Sequence, residues 1–137
     1  LVYNMERFAK DCATVFCDLT GYDKGRVGTA PTPFVDESKD PLVATQPPPE
    51  AAAKAAPTGE LTQKATNCLM TIMYIARFAW QDLLGAVGAL TTIITRWDER
   101  CDRKLFRRIK YINGTVSWGQ IGFIGDSPDN LQLGVVL

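Results

Sequence analysis

Arg107-Arg108-Ile109-Lys110-Tyr111-Ile112-Asn113-Gly114-Thr115 reads as the end of a basic amphipathic helix, stopped by Asn-Gly and followed by strand-like sequence. Working back from it, Asp98 and Glu99 place negative charge at the positive end of the same helix. Its apolar face is Cys101, Leu105, Ile109 and Ile112, and the other side carries Arg100, Arg103, Lys104, Arg107, Arg108 and Lys110. At 100° per residue these cations fall within an arc of roughly 160°. Such a face can neutralise phosphates with salt-dependent, sequence-independent affinity. It can equally be a solvated face paired with nearby acids. Those six side chains are the candidate nucleic-acid-binding residues.

Upstream, Leu61, Ala65, Cys68, Ile72, Ile75, Ala79, Leu83, Val87, Leu90, Ile94 and Trp97 form one stripe at helical spacing. A single helix over 61–97 would be roughly 55 Å long at 1.5 Å per residue. A break near Trp80-Gln81-Asp82, with Asp82 capping a second helix, fits the periodicity equally well. Lys64, Arg77, Asp82 and Arg96 interrupt the apolar run. No membrane span is expected, because one needs about 20 mostly apolar residues.

Further out, Met5, Phe8, Cys12, Val15, Phe16 and Leu19 predict a first helix over 4–20, capped by Asn4 and closed by Gly21. Residues 22–45 lose periodicity and read as a surface loop. Residues 46–60 form a Pro/Ala-rich linker, with polyproline II at Pro47-Pro48-Pro49 and a helical turn at Ala51–Ala56. A proline-rich docking motif is a second reading of that stretch. Past Thr115 the period drops toward two through Val116, Trp118, Ile121 and Phe123. A turn at 125–130 and a strand lined by Leu131, Leu133, Val135 and Leu137 complete a β-hairpin over 116–137. Gly119, Gly122 and Gly125 lack the following helix and Lys-Ser/Thr of a phosphate loop.

The expected fold class is therefore mainly α with a C-terminal β-hairpin, a helical bundle plus a partial sheet. Its segments are an N-terminal helix (1–21), an irregular linker (22–60), a three-helix region (61–115) and the hairpin (116–137). At 137 residues the chain can bury one modest core. It has 15 basic and 15 acidic residues, so any electrostatic footprint is local. It contains no histidine, which removes Ser-His and Cys-His pairs, His-ligated metals and a His base.

Cys12, Cys17, Cys68 and Cys101 read as reduced, partly buried small hydrophobes. Cys12 and Cys17 would lie about 140° apart on a helix, a poor start for a chelate. Asn113-Gly114-Thr115 is formally a glycosylation sequon, with nothing placing it in a secretory compartment. The chain opens on Leu1 without a signal pattern and closes within strand-like sequence, so an intracellular excerpt of a longer protein is expected.

One ordered set of residues adds to this reading. Leu69-Met70-Thr71-Ile72-Met73-Tyr74-Ile75-Ala76-Arg77, then Asp82-Leu83, Ala86-Val87, Trp97 and Arg107–Thr115, resembles the Pol polyproteins of copia-type long-terminal-repeat retrotransposons. The family pattern runs Leu-Leu-Tyr-Leu, Arg-Pro-Asp-Ile/Leu, Ala-Val, then Lys-Arg-Ile-Leu-Arg-Tyr-Leu-Lys-Gly-Thr. The likeness covers 61–115, extends over 116–137, and is carried most firmly by Tyr111, Ile112, Gly114 and Thr115. Trp80-Gln81 stands where the family has Arg-Pro, and Asn113 where it has Lys.

The resemblance implies the thumb and connection of a reverse transcriptase, an RNA-directed DNA polymerase, running into its ribonuclease H domain. It implies polymerase aspartates upstream of residue 1 and the first ribonuclease H acid just beyond Leu137. The parent enzyme would use Mg²⁺ and hold an RNA/DNA template–primer duplex. No catalytic residue and no cofactor are expected within this chain, whose partners would be that duplex and the rest of the polyprotein.

Two function classes follow. In the first, the basic helix helps hold the duplex. In the second, the chain is a non-catalytic helical interaction subunit, with the 61–97 apolar stripe packed on a protein partner. An enzymatic reading is weaker, since Asp11, Asp18, Asp98, Glu99 and Asp102 all have helix-surface or capping explanations.

Overall fold

The computed structural model describes residues 2–36, 39, 59–123, 125 and 129. The fold is mainly helical with one small two-stranded antiparallel sheet. In chain order the elements are β1 (Val2–Asn4), α1 (Glu6–Thr20), a 3₁₀ turn (Lys24–Arg26), α2 (Ala65–Phe78), α3 (Asp82–Thr91), a second 3₁₀ turn (Ile94–Arg96), α4 (Glu99–Gly114) and β2 (Gly119–Ile121). Helix α1 packs on α2 and α4, and α3 packs on both α2 and α4.

The local chemistry explains most boundaries. Asn4 Oδ1 accepts the Glu6 amide at 2.9 Å, but Asn4 stands one residue before the N-cap, which is Met5 and not Asn4 as expected. Gly21 adopts φ 71° and its amide closes α1 on the Cys17 carbonyl, a left-handed stop that favours glycine. Asp98 caps α4 by accepting the Cys101 amide at 3.0 Å. The 61–97 stripe splits into two helices at Ala79-Trp80-Gln81. At the break the Trp80 indole is buried, and its Nε1 donates to Thr115 Oγ1 at 3.0 Å.

Three expectations need correction. Asp82 does not cap α3 through its carboxylate, which instead accepts a short hydrogen bond from the Tyr111 hydroxyl. Helix α4 ends at Gly114, where Asn113-Gly114 was expected to stop it, but not through a left-handed glycine: Thr115 is the C-cap, and its amide bonds to the Tyr111 and Ile112 carbonyls. Gly114 serves close packing, because a Cβ there would lie 3.1 Å from the Thr29 Cβ.

Residues 22–36 are the third, being a strap laid on α4 and not a loop free of the core. Val27, Ala30 and Pro33 are buried, and the Ala30 amide reaches the Lys110 carbonyl at 3.2 Å. Small apolar residues among the glycines let the strap lie close to the helix. The linker features expected at 47–56 lie outside the described residues.

The core joins Phe16, Val27, Leu69, Ile72, Ile75, Leu83, Leu90, Trp97, Leu105, Ile109 and Ile112. The stripe over 61–97 is thus satisfied within the chain, which corrects its assignment as a surface for a protein partner. All four cysteines are free and buried, as small hydrophobes should be. Strand β2 pairs with β1 in the register Val2 to Ile121, Tyr3 to Gln120 and Asn4 to Gly119. The 131–137 strand of the expected hairpin lies outside the described residues. No helix is long and apolar enough to cross a membrane among the described residues.

Candidate nucleic-acid interface

Helix α4 carries all six candidate cations, and the structure gives them unequal roles. Arg100 lies against its own helix cap, with Nε 2.8 Å from Asp98 Oδ2 and Nη2 also bound to that oxygen. Both partners are largely shielded, at 21% and 26% side-chain exposure. Burial alone would raise the Asp98 pKa, but the Arg100 guanidinium and the Cys101 amide outweigh it and hold the carboxyl below its usual value. Arg107 turns onto the strap, its Nε donating to the Thr32 carbonyl at 3.0 Å and its Nη2 to Thr32 Oγ1 at 3.2 Å. Lys110 sits over the Phe106 ring, 4.6 Å from its centroid.

Arg108 requires correction as a surface phosphate contact, because it is 3% exposed. Its Nη2 donates to the Ala86 carbonyl at 3.0 Å and its Nη1 to the Lys104 carbonyl. This guanidinium ties α4 to the side of α3. The sequence held a signal for this. Arg108 is seven residues past Cys101, so it lies only about 20° round the helix from that buried residue, at the border of the apolar side. Arg103 is exposed and Lys104 half-buried, and these two stand at the solvent side of the helix.

A second polar cluster ties the start of the 61–115 region to the first turn of α4. Asp102 accepts three donors: the Glu60 amide at 2.7 Å, the Leu61 amide at 3.2 Å and Trp97 Nε1 at 2.6 Å. Gly59 sits so close to this point that a Cβ would fall 2.5 Å from Trp97 Cδ1 and 2.8 Å from the Asp98 carbonyl oxygen. Across α4, burial and the Asp82 carboxylate push the Tyr111 hydroxyl up to about 12. Burial likewise lifts the thiols of Cys12 to about 12 and of Cys68 and Cys101 to about 11, which suppresses the reactive thiolate. Asp11, Asp18, Asp98, Glu99 and Asp102 do not converge: among the described residues, no group of three or more acidic, cysteine or histidine side chains is placed to hold a metal ion.

Sequence reasoning counted Phe8 among the apolar residues at helical spacing in α1 and gave no role to the rings of Tyr74 and Phe78. All three rings lie on the surface, at 46%, 49% and 45% exposure. Phe8 could have been separated by helical phase, since it points about 100° away from the centre of the buried set Ala9, Cys12, Ala13, Phe16 and Cys17. Comparison with protein-family models, with curated proteins and with solved structures finds no match.

Proposed function

We propose that this chain is a non-catalytic supporting segment of a copia-type reverse transcriptase, a helical unit joining the polymerase to the ribonuclease H domain. The observation that carries the reading is where the resembling residues meet. Asp82 bonds to Tyr111, and Ala86 receives Arg108. Members of the ordered set that resembles the family thus dock α3 against α4. Docking of two helices by side-chain hydrogen bonds suits a part whose task is to hold neighbouring domains at fixed spacing. Catalysis would come from elsewhere in the polyprotein, with its Mg²⁺ bound there.

In this reading α4 contributes to duplex holding through the solvent side of its basic face, where Arg103 is exposed and Lys104 half-buried, while Arg108 is buried against α3. Sequencing the native transcript on both sides tests the assignment. An upstream Asp-Asp polymerase turn and an acidic residue within a few positions after Leu137 are expected. Stop codons close to either side would remove the polyprotein reading and leave a free-standing helical subunit.

A further inference from the structure

Away from α4, the outer side of the α1–α2 pair carries a continuous aromatic surface. Phe8 of α1 lies 5.5 Å from Tyr74 of α2, ring centroid to ring centroid, and Tyr74 lies 5.1 Å from Phe78. Met70, one turn before Tyr74, extends the strip and is 52% exposed. Isolated exposed hydrophobes are ordinary on protein surfaces, whereas a row of touching rings spanning two helices marks a contact surface. The interplanar angles of 48° and 54° mean that the rings do not shield one another's faces by parallel stacking.

Charge says what fits there. Arg77 lies about 60° round α2 from Tyr74 and borders the strip there, while Arg7 lies about 100° round α1 from Phe8, farther out on the solvent side. Both are exposed, and among the described residues neither forms an ion pair. The Glu6 carboxylate nearby is already neutralised by Lys10 at 2.6 Å. Asp11, one turn beyond Arg7, is the acid that opposes an anionic ligand on α1. Rings that accept flat apolar groups, bordered by cations that accept phosphates, are the two components of sequence-tolerant single-strand recognition.

We propose that Phe8, Tyr74 and Phe78, with Arg7 and Arg77, form a binding surface for single-stranded nucleic acid, the bases stacking on the rings and the phosphates meeting the guanidiniums. This surface is separate from the α4 cations and goes beyond the proposed function. It does not depend on the chain being part of a polyprotein.

Fluorescence anisotropy with a labelled oligouridine of about 20 nucleotides tests it on the full 137-residue chain. Phe8→Ala, Tyr74→Ala and Phe78→Ala should each weaken binding at least about five-fold, while Tyr74→Phe keeps wild-type affinity. Arg7→Ala and Arg77→Ala should each reduce the salt slope by about 0.7, and Asp11→Asn should tighten binding. Because the rings are half exposed, circular dichroism of each variant should match the parent.

Undetectable binding, or affinity unchanged in all three alanine variants, overturns the proposal. So does equal or tighter binding of a duplex of the same length. Concentration-dependent dimerisation abolished by the same ring changes would also overturn it, assigning the strip to a second copy of the chain. A transcript lacking polymerase motifs would remove the proposed function and leave this surface standing.

Discussion

At the scale of single residues, two side chains whose formal types promise surface roles prove to be internal ties. Arg108→Ala should lower stability by about 2 kcal/mol in urea denaturation, since it empties a buried site and removes hydrogen bonds to two carbonyls. A surface arginine would show less than about 0.5 kcal/mol. Asp102→Ala should cost about 2 kcal/mol or more, because it strands the Trp97 indole N–H and two backbone amides together.

Asp98 gives a pH signature. Its folded pKa is depressed, so its contribution is present above the unfolded carboxyl value near about 4 and is lost as pH falls through the folded value. Asp98→Asn keeps a competent cap but removes the ion pair. The stability difference between parent and variant should therefore shrink as pH drops from about 5 toward 2.

Among the elements, glycines separate packing from propensity. Gly85 and Gly88 of α3 have nothing within 4 Å of an added Cβ. Alanine at either should raise stability by about 0.5–1 kcal/mol, read as a higher melting temperature. Gly59→Ala should do the reverse and by more, since the Trp97 ring and the Asp98 carbonyl occupy the space. A Gly59→Ala variant as stable as the parent would mean the clip at Asp102 yields easily.

Much of this level was legible beforehand. The helix caps at Gly21 and Asp98 and the apolar phases of α2, α3 and α4 follow from short-range patterns. What escaped depends on partners distant in sequence. The strap over α4 is held by Gly28, Ala30 and Thr32 against residues some 75 or more positions away. The break near Trp80 was one of two readings the periodicity allowed, but the Trp80 bond to Thr115 lies beyond any local window. Strand β1 is three residues long and exists only because β2 lies beside it. The candidate site was half legible for the same reason: composition located the cations of α4, but only packing shows which of them face inward.

For the whole molecule, one core built from all four described helices predicts uniform protection. The thiols of Cys12, Cys68 and Cys101 should resist a disulfide reagent at pH 8 and react together once the fold is lost. One of the four tyrosines, Tyr111, should ionise last in an absorbance titration, near pH 12. Its raised value means the contribution is intact below about 10 and lost as pH rises through 12.

The pairing of β1 with β2 has a mechanical consequence. Val2 stands opposite Ile121, so chain entering at β1 and chain leaving at β2 meet at the same end of the ladder. Tension between the flanks would load these hydrogen bonds one rung at a time, as a zipper, and not all at once in shear. Under an optical trap the pair should part at low force while α1 to α4 stay folded, making it a compliant coupling between the helical body and whatever pulls on it.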